Sequence, residues 1–244
     1  MNKNKYRYFQ LSYFLRKLYT FKFLSFFLSE NFLRKKIFKH IFLSGYWLDY
    51  NISKNQSRSG NGSNLDQSQE LKIQLKLFFK KNNIKKILDL GCGDFKWMSS
   101  FLKEVNYEFY LGIDIVDKLI DDNISTYGNK KIQFEKKDFL NDKIDFSQKF
   151  DLILVRHVFI HLKNKNINKV LSKIKNINFE YFCATSDPKV LQNTDLKTEG
   201  RYRDINLLVS PFFLNKCSET IKVPVHGNEN YVDLNVYKFN EMFK

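Results

Sequence analysis

Short apolar runs alternate with amphipathic segments along most of this chain. Five runs read as buried strands: about 85–90, 109–114, near 131–136, 150–155 and about 179–185. The segments between them repeat apolar residues every three or four positions. They predict helices over about 95–104, up to about Tyr127, and around Ile167, Val170, Leu171 and Ile174. An earlier helix is expected from about Asp66 to Lys81, with Leu71, Ile73, Leu75, Leu77 and Phe78 on its apolar face. Strand–helix alternation implies a parallel sheet with right-handed crossovers. Two last strands, near 219–225 and 231–239, flank the loop His226-Gly227-Asn228-Glu229-Asn230 and predict a hairpin. The fold class expected is α/β: a doubly wound, Rossmann-like, seven-stranded sheet with an N-terminal helical extension.

The first run enters a Gly-x-Gly turn, Asp89-Leu90-Gly91-Cys92-Gly93-Asp94. A side chain there would hold a ligand away from the backbone. Asp114 ends the second run about 20 residues on, where a carboxylate can accept both hydroxyls of a ribose. A dinucleotide site wants a third glycine where Lys96 stands, so that pattern fails. S-adenosylmethionine has no phosphate and needs only the tight turn, and Asp89 can face its cationic end. Ligands of open α/β sheets lie beyond the carboxyl ends of the strands. Asp89, Gly91, Asp114, Asp138, Arg156 and His157 all fall there, whereas Asp151 opens its strand at the far end.

The formal net charge of +15 rests on 34 Lys and only 7 Arg, in a chain also rich in Asn, Ile, Phe and Tyr. That bias is accounted for by A/T-rich codons. Arginine-poor basicity does not favour nucleic acid as a partner. Cys92, Cys183 and Cys217 are odd in number and widely spaced, which suits reduced thiols in a cytoplasmic protein. Residues 1–45 hold ten basic residues against Glu30, and 13 Phe or Tyr. Phe9, Tyr13, Leu15, Leu18, Phe21 and Leu24 have helical spacing. One reading is an amphipathic anchor on the inner face of an anionic membrane. The plainer one, which leads, is a pair of helices packing on the catalytic domain or on a second subunit. The longest uncharged run, Phe23 to Ser29, is too short to span a bilayer. The division expected is a basic extension over 1–50, a Ser/Gly-rich loop over 51–65, and a catalytic domain over 66–244. By composition the loop reads as a linker.

From Trp47 to the C-terminus the chain resembles a group of small bacterial class I S-adenosylmethionine-dependent methyltransferases. The resemblance rests on Ser57-Arg58-Ser59-Gly60-Asn61-Gly62-Ser63-Asn64-Leu65, on Gly91-Cys92-Gly93-Asp94-Phe95-Lys96-Trp97-Met98, on Tyr110 to Val116, on Arg156 to Leu162, and on Gly200 to Leu207 followed by Pro211-Phe212. The group commonly has Asp where this chain has His157. The resemblance implies S-adenosylmethionine as cofactor and contacts from Ile115. Class I analogy implies that Asp138 or Phe139 reaches the adenine. Members of the group often sit among genes for capsule, lipopolysaccharide or other glycans, which implies a sugar or sugar-linked hydroxyl as acceptor. Two other functions stay open: an RNA or protein methyltransferase docked through the basic N-terminus, and a non-catalytic, membrane-associated S-adenosylmethionine-binding subunit.

A neutral hydroxyl is a poor nucleophile, and histidine is the usual base near neutrality. His161 ranks first and His157 second; if their turn is helical, the i, i+4 spacing puts them on one face. That spacing also suits a metal, but no acidic third ligand lies near in sequence, and none is expected. His40 reads as structural and His226 as a loop residue. Asp94 is a further base candidate, or an N-cap of the first crossover helix. Trp97 is a candidate wall of the acceptor pocket, and Arg156 a guide for an anionic acceptor. Arg201, Tyr202, Arg203 and Asn206 lie in the long segment 187–215, expected to cover the substrate and grip a phosphate or nucleotide-sugar.

Overall fold

A computed structural model describes residues 29–48, 57–60, 63, 69–144, 149–224 and 231–243. The expected 9–24 helix, the hairpin loop with His226, and residues 61–62 and 64–68 lie outside this set. The sheet has seven strands in the order β3-β2-β1-β4-β5-β7-β6. They are β1 (Lys86–Leu90), β2 (Phe109–Asp114), β3 (Ile132–Lys136), β4 (Phe150–Val155), β5 (Phe179–Ser186), β6 (Glu219–Pro224) and β7 (Tyr231–Lys238). The first five are parallel, and β7 runs antiparallel between β5 and β6. Each strand falls within a residue or two of its apolar run, and the seven-stranded doubly wound sheet is the one expected.

The helices are α1 (Glu30–Ser44), α2 (Gln69–Asn82), α3 (Lys96–Leu102), α4 (Asp117–Tyr127) and α5 (Asn164–Ile174). Helix α5 buries Ile167, Val170, Leu171 and Ile174, the stripe expected. Burying each such side chain contributes about 1.5–3 kcal/mol. Helix α2 departs from expectation. Its buried face is Leu71, Leu75, Phe78 and Phe79, while Ile73 and Leu77 are 58% and 65% exposed. A 3.6-residue period cannot put Leu71 and Leu75 on the same stripe as Ile73 and Leu77.

Two apolar layers sandwich the sheet. One joins α2, α3 and α4 through Phe78, Phe101 and Ile120. The other joins α5 to the segment after β5 through Ile167, Ile205 and Leu207. Helix α1 adds a third cluster, Leu33, Ile37 and Ile41. The Ser29 side chain caps its start by accepting the Phe32 N–H at 3.2 Å, and Gly45 ends it at φ +63°. Gly200 receives it closely: a Cβ there would stand 2.5 Å from Ile41 Cδ1. At least this part of the extension therefore packs on the sheet domain. Among the described residues no helix is long and apolar enough to cross a membrane.

Strand order reverses between β1 and β4, whose following segments leave toward opposite faces of the sheet. A cleft opens at that point, beyond the carboxyl ends of the strands, as the topology requires.

Candidate active site

The floor of the cleft is the turn after β1. Gly91 and Cys92 donate backbone N–H groups to the Ile113 carbonyl at 2.7 and 3.1 Å, tying the turn to the end of β2. Gly91 has φ +81°, and a Cβ on it would lie 2.4 Å from a Val158 methyl. Gly93 has φ +59°, and its Cβ would lie 2.6 Å from Ser59 Oγ. Both positions therefore require glycine twice over, for conformation and for space.

Asp114 closes the turn. One carboxylate oxygen accepts Gly93 N–H at 3.3 Å and the other Val116 N–H at 3.0 Å. Burial pushes its pKa up to about 6, against the pull of the backbone N–H groups around it. Asp89 is 3% exposed and accepts the Tyr110 hydroxyl at 2.7 Å. Burial raises its pKa to about 7, while the Tyr110 bond and the Arg156 charge pull it down.

The cleft opens over these groups. Of the expected residues, Asp89, Gly91, Gly93, Trp97, Asp114, Ile115, Asp138, Phe139, Arg156, His157 and His161 line it. The Arg156 guanidinium lies over the Trp97 ring, 4.7 Å from its centroid, a cation–π contact. Desolvation lowers the Arg156 pKa to about 10, partly offset by Asp89, so it stays a cation. His157 stands at φ +55°, with its N–H donated to Thr185 Oγ1 at 2.9 Å. Desolvation and the adjacent Arg156 and His161 hold its pKa well below the ordinary range, so it is neutral near pH 7. The segment 159–161 is a single 3₁₀ turn. The histidine pair therefore does not share an α-helical face; a left-handed residue and a tight turn bring both to the cleft.

His161 Nδ1 lies 2.9 Å from the Arg201 carbonyl oxygen. A carbonyl only accepts, so Nδ1 carries a proton, and in the neutral ring Nε2 holds the lone pair. Trp47 stacks on the His161 ring, with centroids 4.3 Å apart and planes at 21°. Tyr202 does not line the cleft: it is 62% exposed, its ring centroid 6.3 Å from that of His161, and its hydroxyl bonds Asp204.

Other expectations are corrected. Arg203 is 8% exposed, and its guanidinium bonds the carbonyls of Thr194, Phe159 and Ile160 and the side chain of Asn164. It braces the turn before α5 and does not line the cleft. Asn206 is likewise spent on Val190 and Leu208. Arg201 contributes its backbone carbonyl. Asp94 is not the N-cap: Phe95 holds that place at φ +59°. The Asp94 carboxylate accepts Arg58 N–H at 3.1 Å, and its own N–H donates to Ser59 Oγ at 2.8 Å. Burial raises the Asp94 pKa, opposed by bonding to Ser57 and by Lys96. Residues 57–60 are thus no linker. They lie over the glycine turn, and Arg58, Ser59 and Ser63 line the cleft.

Sequence reasoning missed the contribution of α1. Arg34, Phe38 and Phe42 line the cleft, together with Trp47. No local motif marks them. The one available signal was the apolar spacing of 33–42, which requires a surface to cover.

The residues present fit S-adenosylmethionine. Two glycines clear the floor, Asp114 stands where a ribose needs an acceptor, and Asp89 offers a buried carboxylate to a cation.

Comparison with known proteins agrees. Residues 87–177 match a family described as a methyltransferase domain. Magnesium protoporphyrin IX methyltransferase from Synechocystis, with S-adenosylmethionine bound, superposes with a TM-score of 0.58 at 13% identity, over 86% of this chain and 97% of that one. The N-methyltransferase NodS of Bradyrhizobium japonicum gives 0.54 at 14%, over 73% and 98%. Identities this low establish the fold. A chemotaxis protein methyltransferase of Borreliella burgdorferi is 34% identical over 71 residues, 28% of this chain; the match spans only 25% of that relative. Residues 87–177 thus carry the methyltransferase-domain match, on a sheet with the class I methyltransferase fold and beside a cleft whose residues fit S-adenosylmethionine.

Proposed function

We propose that this chain is an S-adenosylmethionine-dependent methyltransferase that methylates a hydroxyl on a small sugar or sugar-linked acceptor, of the kind used to build capsule, lipopolysaccharide or another glycan. The supporting observation is His161: its Nδ1 donates to the Arg201 carbonyl, so the neutral ring has Nε2 as its base, and Trp47 holds that ring in the cleft wall.

Gly91, Gly93, Asp89, Asp114 and Ile115 hold the cofactor, and Asp138 and Phe139 flank its base. The bound cofactor supplies a methyl group on a cationic sulfonium. His161 Nε2 takes the proton of the acceptor hydroxyl as the oxygen becomes nucleophilic. Trp97 and Trp47 wall the acceptor side and exclude water. Arg156 holds a positive charge there, which suits an acceptor carrying a phosphate or carboxylate.

The test is transfer of labelled methyl to a panel of nucleotide-sugars, with total RNA and protein as controls. His161→Ala should lower turnover roughly 100-fold or more while leaving S-adenosylhomocysteine binding within about twofold. Normal turnover in His161→Ala would refute the base assignment. Transfer to protein alone would favour the other reading, which the short chemotaxis-methyltransferase match supports.

A further inference from the structure

The cleft holds a buried charged group that the proposed chemistry does not use. Arg34, on α1 and outside the methyltransferase-domain match, is 3% exposed and lines the cleft beside Asp138. Its Nη2 donates to the Asp138 carboxylate and to Asn31 Oδ1 at 3.2 Å. Its Nη1 lies 3.7 Å from Glu199 Oε2, on a side chain that is fully buried. Its Nε is also buried, yet has no hydrogen-bond acceptor among the described residues. An unmade buried bond on a charged group is costly, and a guanidinium is a planar fork of five donors in fixed directions. Nε–H leaves the fork on the same edge as Nη2, so its missing acceptor belongs next to Asp138 and Asn31.

That place has a chemical meaning. Asp114, at the end of β2, is the ribose acceptor, and β3 is the neighbouring edge strand. A base attached to that ribose reaches the loop after β3, where Asp138 and Phe139 line the cleft. Asp138 is fixed there: Oδ1 accepts Leu140 N–H at 3.0 Å and Oδ2 accepts Asn141 Nδ2 at 2.8 Å. Arg34 and Asp138 thus present a donor and an acceptor side by side. The edges of adenine present the complement, an exocyclic amine flanked by the ring nitrogens N1 and N7.

We infer that Arg34 is a cofactor-binding residue: its Nε–H donates to N1 or N7 of the adenine, while Asp138 accepts from the exocyclic amine. The N-terminal helix is then part of the cofactor site. This rests on S-adenosylmethionine being the cofactor.

The experiment is calorimetric titration of the full chain, wild type and Arg34→Lys, with S-adenosylhomocysteine and its 1-deaza and 7-deaza analogues. Lysine keeps the charge beside Asp138 and Glu199 but loses the fork. One deaza analogue should bind the wild type roughly tenfold or more weakly than the parent. In Arg34→Lys the parent should fall to that level and the deaza penalty should vanish. Equal binding of all three ligands to the wild type, or an unchanged penalty in the variant, would overturn the inference. Should Arg34→Lys fail to fold, wild-type protein with ¹⁵N-labelled arginine gives the answer. A buried Arg34 Nε–H resonance should move on adding S-adenosylhomocysteine and less with the weaker analogue; an unmoved one overturns the proposal. A wild type that binds no S-adenosylhomocysteine would overturn the cofactor reading as well, whereas binding without coupling overturns this inference alone.

Discussion

Asp89 should make the ligand-free protein less stable as pH rises, and Asp89→Asn should remove that penalty. The carboxyl is 3% exposed, and burial raises its pKa from 3.8 to about 7. A carboxyl raised on folding stabilises the folded state below its ordinary pKa, and loses that contribution as pH climbs through the raised value. A rise of this size corresponds to about 4 kcal/mol at pH well above 7. Asparagine has nearly the shape of the protonated acid and can still accept the Tyr110 hydroxyl. The two proteins should therefore be equally stable near about pH 4, and the variant ahead by up to about 4 kcal/mol near about pH 8. A shallower slope remains in both up to about pH 6, because Asp114 is raised in the same way. Urea denaturation at a series of pH values, without ligand, measures the difference. Parallel curves for the two proteins, or a variant less stable at high pH, would refute the burial argument. The variant should also bind S-adenosylmethionine more weakly, since it lacks the carboxylate that faces the cation. The wild type should bind it more tightly as pH rises from about 6 to 8, with a flatter response in the variant.

Three further outcomes follow from the same geometry. Gly91→Ala should cost roughly 2–4 kcal/mol, from a left-handed backbone and from contact with a stiff Val158 methyl, and Val158→Ala should recover part of it in denaturation experiments. Trp47→Ala should lower kcat several-fold with little change in KM for the cofactor, and Trp47→Phe should restore most of it by keeping a stacked ring on His161; equal loss in both would mean that stacking is irrelevant. Tyr110→Phe removes a bond that holds the Asp89 pKa down, so the stability-against-pH curve should shift to higher pH; an unshifted curve would show that the hydroxyl does not act on Asp89.

The parallel strands, the glycine turn and Asp114 could be read from local pattern because their causes are local. A run of Ile and Leu demands burial wherever it lies, and a tight turn demands glycine whatever packs on it. The same logic failed at Arg203. An arginine in a polar loop looks like a ligand grip until its donors are seen to be taken by the carbonyls of Thr194, Phe159 and Ile160. It failed at α2 because single apolar residues at 73 and 77 do not reveal which stripe finds the sheet.

The sequence by itself determined the sheet, the ligand-binding end of its strands and the cofactor class, since alternating patterns and short glycine spacings encode them directly. Only the tertiary structure decided that α1 and residues 57–60 belong to the site. Arg34 meets Asp138 across 104 positions, Ser59 meets Asp94 across 35, and Trp47 stacks on His161. Such contacts are side-chain matches between distant segments. No periodicity or motif carries them, because each partner has an ordinary local reading until packing brings the two together.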